Sequence, residues 1–411
     1  MQLTDLQKKI LYSALLIIVA IGMAIIIYIV FFKAPKEELI NVNGELVPES
    51  IFPEINANVN QDIDVSNTNA FNGVPTIDSV ARGSNTLTDT LTDESASDMT
   101  LSANGKDVQY YNSEDGKFYR INELGEKIAM SDEIFKGVNN VTWSNSSQSA
   151  VLEFDDDYNL FYDFEKKKQY TVPKEMEQFT FSPTDDQIGF KYMAIDKEDR
   201  WLGVMDPDGS NPRGLEKLGD NADKIEVNWS PSGKAVGTFN EYIDGNRQRV
   251  IPIGLNSENF KQMTVEGRGF EYAWSPTGKQ MLYNVFGSYS DYQPTLWIVD
   301  AEGEQIGENR TALEMNTWVD KCTFSSKTQL YCAVPQTLPT GAGYARDVAD
   351  NIPDNIYKID LATGKKELMA IPINAFGTEQ YTINNMQVSD DGATLFFTDV
   401  QQNNIHKLKL K

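Results

Sequence analysis

Apolar residues follow two patterns along this chain. The first is one unbroken run from Ile10 to Phe32, about 23 residues without a charge, with Tyr12 and Tyr28 near its ends. At 1.5 Å rise per residue, a helix of that length crosses a hydrocarbon core, and aromatic rings favour the interface on either side. The run is longer than the apolar centre of a secretory signal peptide and contains no small-residue cleavage site, so it predicts an uncleaved transmembrane helix over 10–32 behind a short tail, 1–9. The second pattern starts near residue 84: short strand-like runs rich in Val, Ile, Tyr, Phe and Thr, broken by Gly, Pro, Asn and Asp. Between the two, residues 33–83 are rich in Asn, Asp, Ser, Thr, Val and Pro with neither period, which predicts a flexible linker with a root-mean-square reach of roughly 35–40 Å.

Within the strand-like region one phrase returns. Trp229-Ser230-Pro231-Ser232-Gly233-Lys234 is repeated as Trp274-Ser275-Pro276-Thr277-Gly278-Lys279. Looser copies stand at Leu101-Ser102, Trp143-Ser144, Phe181-Ser182-Pro183, Phe324-Ser325 and Val388-Ser389. Pro presets φ at the first corner of a turn and Gly accepts positive φ two residues later, so each copy reads as a hairpin between an inner strand and its neighbour. A third strand follows most copies, as in Leu202–Asp206, Leu296–Asp300 and Ile356–Asp360. Seven copies at blade-like spacing predict an all-β, seven-bladed β-propeller over 84–411, with six blades as the alternative if the first copy forms none. The last copy runs out after its third strand, Ile405 to Leu410, so its outer strand should come from Asn85 to Thr92. Borrowing a strand in this way removes an open edge.

The phrase with Gly233-Lys234 and Gly278-Lys279, together with the turn Asp206-Pro207-Asp208-Gly209-Ser210-Asn211, resembles the TolB-type propeller repeats, relatives of the WD-repeat family. The resemblance covers about three quarters of the chain and implies the fold. Where TolB itself has an α/β domain before the repeats, this sequence is expected to have none, and its hydrophobic segment is expected to be retained. It is similar in layout to bacterial membrane proteins in which one span anchors such a propeller.

Net charge sharpens the reading of partners. At −24, with Lys and Arg unclustered, the chain has no basic face for phosphates, which excludes nucleic acid. Acidic surface also repels anionic lipid head groups, so the globular part should stand off the membrane that 10–32 enters. Lys8 and Lys9 before the span nearly balance Lys33 and Lys36 after it. The two cysteines, Cys322 and Cys332, flank one hairpin turn and could be bridged across it, which would suit an oxidising exterior. The alternative is two small hydrophobes packed in a sheet. The expected location is therefore the bacterial cytoplasmic membrane, single-pass, with the propeller outside the cytoplasm.

Chemistry is sparse. His406 is the only histidine and reads as a packing or surface residue rather than a catalytic one. No metal site or cofactor is expected, because Asp206-x-Asp208 occupies a turn and Asp155-Asp156-Asp157 reads as a solvated connection. Trp143, Trp229 and Trp274 should fill the gaps between blades. In a four-stranded blade the tight turns share one face, so the long connections gather on the other: 193–200, 241–246, 287–293 and 335–355. Long loops on a rigid scaffold commonly bind. They supply the binding candidates Arg200, Tyr289, Asp291, Tyr292, Tyr344, Arg346 and Asp347. The expected function is a non-catalytic module for an unidentified protein partner. A cell-wall glycan ligand is the alternative, and a carboxylate-based hydrolase or lyase stands behind it.

Overall fold

The structure is a computed structural model that describes residues 39–42, 45–48, 77–155 and 158–411. The expected span 10–32, its tail and most of the linker lie outside the described residues, as do Asp156 and Asp157. Among the described residues no helix is long and apolar enough to cross a membrane. Two short strands, Leu39–Val42 and Glu45–Pro48, pair antiparallel within the stretch read as linker, in a unit that ends at Phe71.

From residue 77 onward the described residues form a seven-bladed β-propeller. The innermost strands of blades 1 to 7 are Ala96–Leu101, Val138–Trp143, Met176–Phe181, Ile225–Val227, Arg268–Trp274, Cys322–Phe324 and Ile383–Val388. Each opens an antiparallel blade in simple up-and-down order. Buried aromatic and aliphatic side chains fill the space between blades; Phe118, Phe135, Tyr162 and Phe164, for example, join blades 1 and 2 in edge-to-face contacts.

The recurring phrase forms the first hairpin of each blade. In six copies, all but Ser325, the Ser is buried and donates its N–H to the carbonyl five residues on; in four of them, Ser144, Ser182, Ser275 and Ser389, its Oγ also accepts that residue's N–H, at 3.1 Å for both Ser182 and Ser275. Three residues after the Ser the backbone is left-handed in six copies, at Gly105, Ser147, Asp185, Gly233, Gly278 and Gly392. These turns also grip the next blade. The Asp185 carboxylate of blade 3 accepts from the backbone N–H groups of Asn145 and Ser146 in blade 2, at 2.8 and 2.9 Å. Gly278 has φ +67°, and a Cβ there would overlap the Ser232 backbone and Ser230 Oγ of blade 4, whereas Gly233, also at positive φ, faces open space. Gly278→Ala is therefore expected to cost well over 1 kcal/mol, and Gly233→Ala distinctly less. Thermal unfolding of the two variants checks the ordering.

Closure follows the expected route with one addition. Asp89–Thr90 pairs antiparallel with Ile405–Lys409 as the outer strand of blade 7. Just before it, Ser84–Leu87 adds a fifth, parallel strand to blade 6 along Lys366–Ile373. Ahead of these strands, Asp78 N–H donates to Asn85 O and Ala81 N–H to Lys409 O, both at 2.8 Å. Cys322 and Cys332 stand opposite each other in blade 6 and are joined by a disulfide.

Candidate functional site

The two faces of the disc differ. One carries the short turns just described; the other carries the connections between second and third strands and between successive blades. Of the twelve large hydrophobic side chains that are exposed among the described residues, nine sit on this loop face: Ile134, Tyr158, Ile195, Tyr242, Ile243, Tyr289, Tyr344, Val348 and Phe376. Only Leu124 lies at the turn face, and Ile128 and Tyr170 belong to outermost strands.

Six of the nine, from Ile195 to Val348, come from blades 3 to 6, where the long connections are. In blade 4 the connection is not a loop: Ala235–Asp244 and Arg247–Gly254 run as one long hairpin with a two-residue turn. Correcting the expectation for 241–246, this strand extension carries Tyr242 and Ile243 at its exposed end. Its tip is tied down by the next blade, with Gly267 N–H donating to Asn246 O and Arg268 Nε to Gly245 O. Arg268 also reaches blade 6, donating from Nη1 to Tyr344 Oη at 3.1 Å.

Of the sequence candidates, the structure brings the blade 5 and blade 6 loops together. Tyr344 packs edge-on against Phe286 and lies 5.4 Å from the Tyr292 ring. Carbonyls of Asp291 and Tyr292 accept from Gly341 and Gly343 N–H, both at 2.8 Å. Tyr289 donates to Glu266 O at 3.3 Å and walls a groove of about 440 Å³ between the blade 4 tip and the blade 5 loop. Arg346 makes a two-nitrogen ion pair with Asp320 and lies over the Trp318 ring, and Asp347 follows it in the same 3-10 turn. Arg200 is not part of this group: it belongs to blade 3, where its Nε donates to Ala194 O at 2.9 Å. Tyr292 is half-buried, so it braces the loops rather than presenting a surface.

A second feature lies inside the loop-face rim. Three residues before the recurring aromatic or apolar position, every innermost strand or its leading turn carries a polar residue: Asp98, Asn140, Gln178, Glu226, Glu271, Lys321 and Asn385. The following position is apolar in every blade and packs inward, as at Met99, Phe179 and Tyr272. These seven share one position of the repeat, on or just ahead of the innermost strands, which in a closed propeller surround the central channel, and so make a polar ring. At Asp98, Gln178 and Asn385 the backbone turns left-handed where the pairing register shifts. Such bulges re-aim side chains. Glu153, on the second strand of blade 2, pairs with Asn140 and joins the group.

Electrostatics in the ring are lopsided. Lys321 is fully committed: its Nζ sits 2.7 Å from Asp354 Oδ2, and both side chains are buried. Burial pushes the Glu226 carboxyl up to about 7, with repulsion from Glu271 added and Lys191 opposing. Burial likewise raises Asp98 to about 6 and moves Glu153 and Glu271 upward. Burial lowers Lys191, although Glu177, Asp223 and Glu226 favour its charge. Among the described residues no group of three or more His, Cys, Asp or Glu side chains is placed to hold a metal ion.

His406 lies at the closure. It is buried between Tyr381 and Phe397, with Nε2 2.9 Å from Asp399 Oδ2 and Nδ1 3.2 Å from Thr90 Oγ1 on the closing strand. The Asp206 and Asp208 carboxylates accept from donors within their own turn, Asn211 Nδ2 at 2.7 Å and Ser210 N–H at 2.9 Å.

Sequence reasoning missed Arg268 and the polar ring. The first had a signal in Gly267-Arg268-Gly269, an arginine between two glycines with positive φ at the start of an innermost strand. The second was visible once the seven copies were aligned on their aromatic position.

No family model matches this chain, and none of the curated proteins is similar to it in sequence. Solved structures share the fold. The β-propeller domain of Cps50 (Swd1) from Myceliophteria thermophila is similar at 11% identity and TM-score 0.50, over 79% of this chain and 100% of that one. An oligogalacturonate lyase from Vibrio parahaemolyticus is similar at 11% and 0.50, over 79% and 93%. A chain of the Mitotic Checkpoint Complex is similar at 11% and 0.53, over 80% and 96%.

Proposed function

We propose that this chain is a non-catalytic protein-docking module, displayed outside the cytoplasm of a bacterial cell on a single N-terminal span, and that its partner binds the loop face of blades 3 to 6. The observation that carries the reading is the one-sided placement of exposed apolar side chains, nine at the loop face against one at the turn face. A surface that gathers its apolar side chains on one side, rimmed by charge, has the character of an interaction site. Tyr289, Tyr344 and Arg268 supply the aromatic and guanidinium anchors that carry binding energy in such surfaces. The phrase at Trp229 and Trp274 supports a TolB-type ancestry for the repeats, and the run 10–32 supports the anchor. Similar folds serve both an assembly, the Mitotic Checkpoint Complex, and a lyase, so the face rather than the fold carries the argument.

Co-purification from native membranes tests the reading. The triple variant Tyr289→Ala, Tyr292→Ala, Tyr344→Ala is expected to lose at least tenfold in recovered partner. Because Tyr292 and Tyr344 also brace the loops, a second variant, Ile195→Ser with Tyr242→Ser, removes only exposed side chains and is expected to weaken recovery with an unchanged thermal midpoint. Equal recovery by wild type and both variants would overturn the docking face.

A further inference from the structure

Docking on the loop face brings a partner over the mouth of the channel, and the charge found there restricts its chemistry. Asp98, Glu153, Glu226 and Glu271 stand on strands of blades 1, 2, 4 and 5, and none of them has an ion-pair partner among the described residues. The cations nearby are spoken for: Lys321 pairs with Asp354 and Arg346 with Asp320. Lys191 is buried on the second strand of blade 3 and is shared by Glu177, Asp223 and Glu226. Outside this ring lie the exposed Tyr242, Ile243 and Tyr289 and the groove of about 440 Å³ that Tyr289 walls.

Resting on the docking reading above, we propose that the partner segment is basic with an apolar anchor, the anchor packing on the exposed Tyr242, Ile243 and Tyr289 and an Arg or Lys side chain reaching the channel mouth between Glu226 and Glu271. A cation there would supply the missing counter-charge to both carboxylates. An acidic or neutral segment of equal length would add repulsion or leave the carboxylates unpaired. Because burial and Glu271 hold the Glu226 proton near neutrality, cation binding should displace it. The charged groups acting on this pair are Lys191, Asp320 and Arg346.

The test is calorimetric titration of the intact protein in detergent with three peptides: alternating Leu and Arg, alternating Leu and Gln, and alternating Leu and Glu. Binding of the Arg peptide alone, with proton release near pH 7 and at least a tenfold loss in Glu226→Gln/Glu271→Gln, is the expected result. Asp206→Asn/Asp208→Asn, which removes equal charge from the turn face, should leave binding unchanged. Equal losses in both double variants would reduce the effect to general acidity and overturn the proposal, as would absence of binding or equal binding of the three peptides. If the native partner is lost from the loop-face variants but retained by Glu226→Gln/Glu271→Gln, the basic segment is wrong and the docking face stands. Loss from neither overturns both.

Discussion

Lys321→Ala is expected to destabilise the propeller by about 3–5 kcal/mol, because it strands the Asp354 carboxylate in the interior. The pair is buried at both ends, with 3% and 0% of the two side chains exposed. Burial pushes Asp354 above the ordinary carboxylate range even with the Lys321 ammonium 2.7 Å away, so its charge is already disfavoured before the lysine is removed. Ile383 N–H donates to the same oxygen at 2.7 Å, which ties blade 6 to blade 7 through this carboxylate. Losing the lysine should therefore weaken a seam between blades as well as an ion pair. The double change Lys321→Met/Asp354→Leu removes both charges and should recover most of the loss. Denaturant midpoints of the single and double variants decide the matter: a single variant within about 1 kcal/mol of wild type would mean that water reaches the pair.

A second large effect concerns pH. Asp98 and Glu226 have folded-state values raised to about 6 and about 7, so the folded protein holds protons that the unfolded chain has released. Their stabilising contribution is complete below the ordinary carboxylate range, near pH 4, and is lost as pH rises through 6 and 7. Converted at 1.36 kcal/mol per unit, the loss is about 3 kcal/mol at most for each group, less what solvent screens at these half-buried carboxylates. Asp98→Asn/Glu226→Gln, which keeps shape and removes the charge, should thus match wild type near pH 4 and exceed it by several kcal/mol at pH 8. Asn also tolerates the left-handed backbone at position 98. The comparison between proteins matters because Glu94 moves the other way: hydrogen bonds from Lys127 and Tyr110 outweigh its burial and hold it near 2. A pH-independent difference between variant and wild type would show that the two carboxylates are solvated. The same residues link stability to binding, since Glu226→Gln should strengthen the fold while weakening capture of a basic segment.

Much of the architecture was legible because a propeller writes its repeat into the sequence. The buried Ser, the left-handed residue three places later and the aromatic or apolar residue before the Ser are local requirements of one hairpin, so they recur in six of the seven copies. The borrowed strand could be read from a missing one. The parallel addition of Ser84–Leu87 to blade 6 could not, because no deficit in blade 6 called for it. The extended hairpin of blade 4 reads as a loop in the sequence because Gly245-Asn246 and the charges around it look irregular. In the structure Lys224 and Arg249 both pair with Glu241 and carry the strands outward.

The candidate site divided along the same line. Exposed tyrosines in long connections were visible as composition, and Tyr289 and Tyr344 do stand out from the loop face. Which candidates meet was not visible, since Arg200 and Tyr344 are equally plausible by sequence and lie on blades 3 and 6. The polar ring depends on a phase shared by seven strands, and only alignment of the copies shows that Glu226 and Glu271 occupy one position.

The most direct measurement is site-specific photocrosslinking in intact cells, with the photoreactive residue placed in turn at Tyr242, Tyr289 and Val348 on the loop face and at Leu124 and Asp208 on the turn face. Adducts of one defined protein from the three loop-face positions, and none from the other two, are the expected result. Adducts from both faces alike, or from the turn face alone, would contradict docking through the loop face.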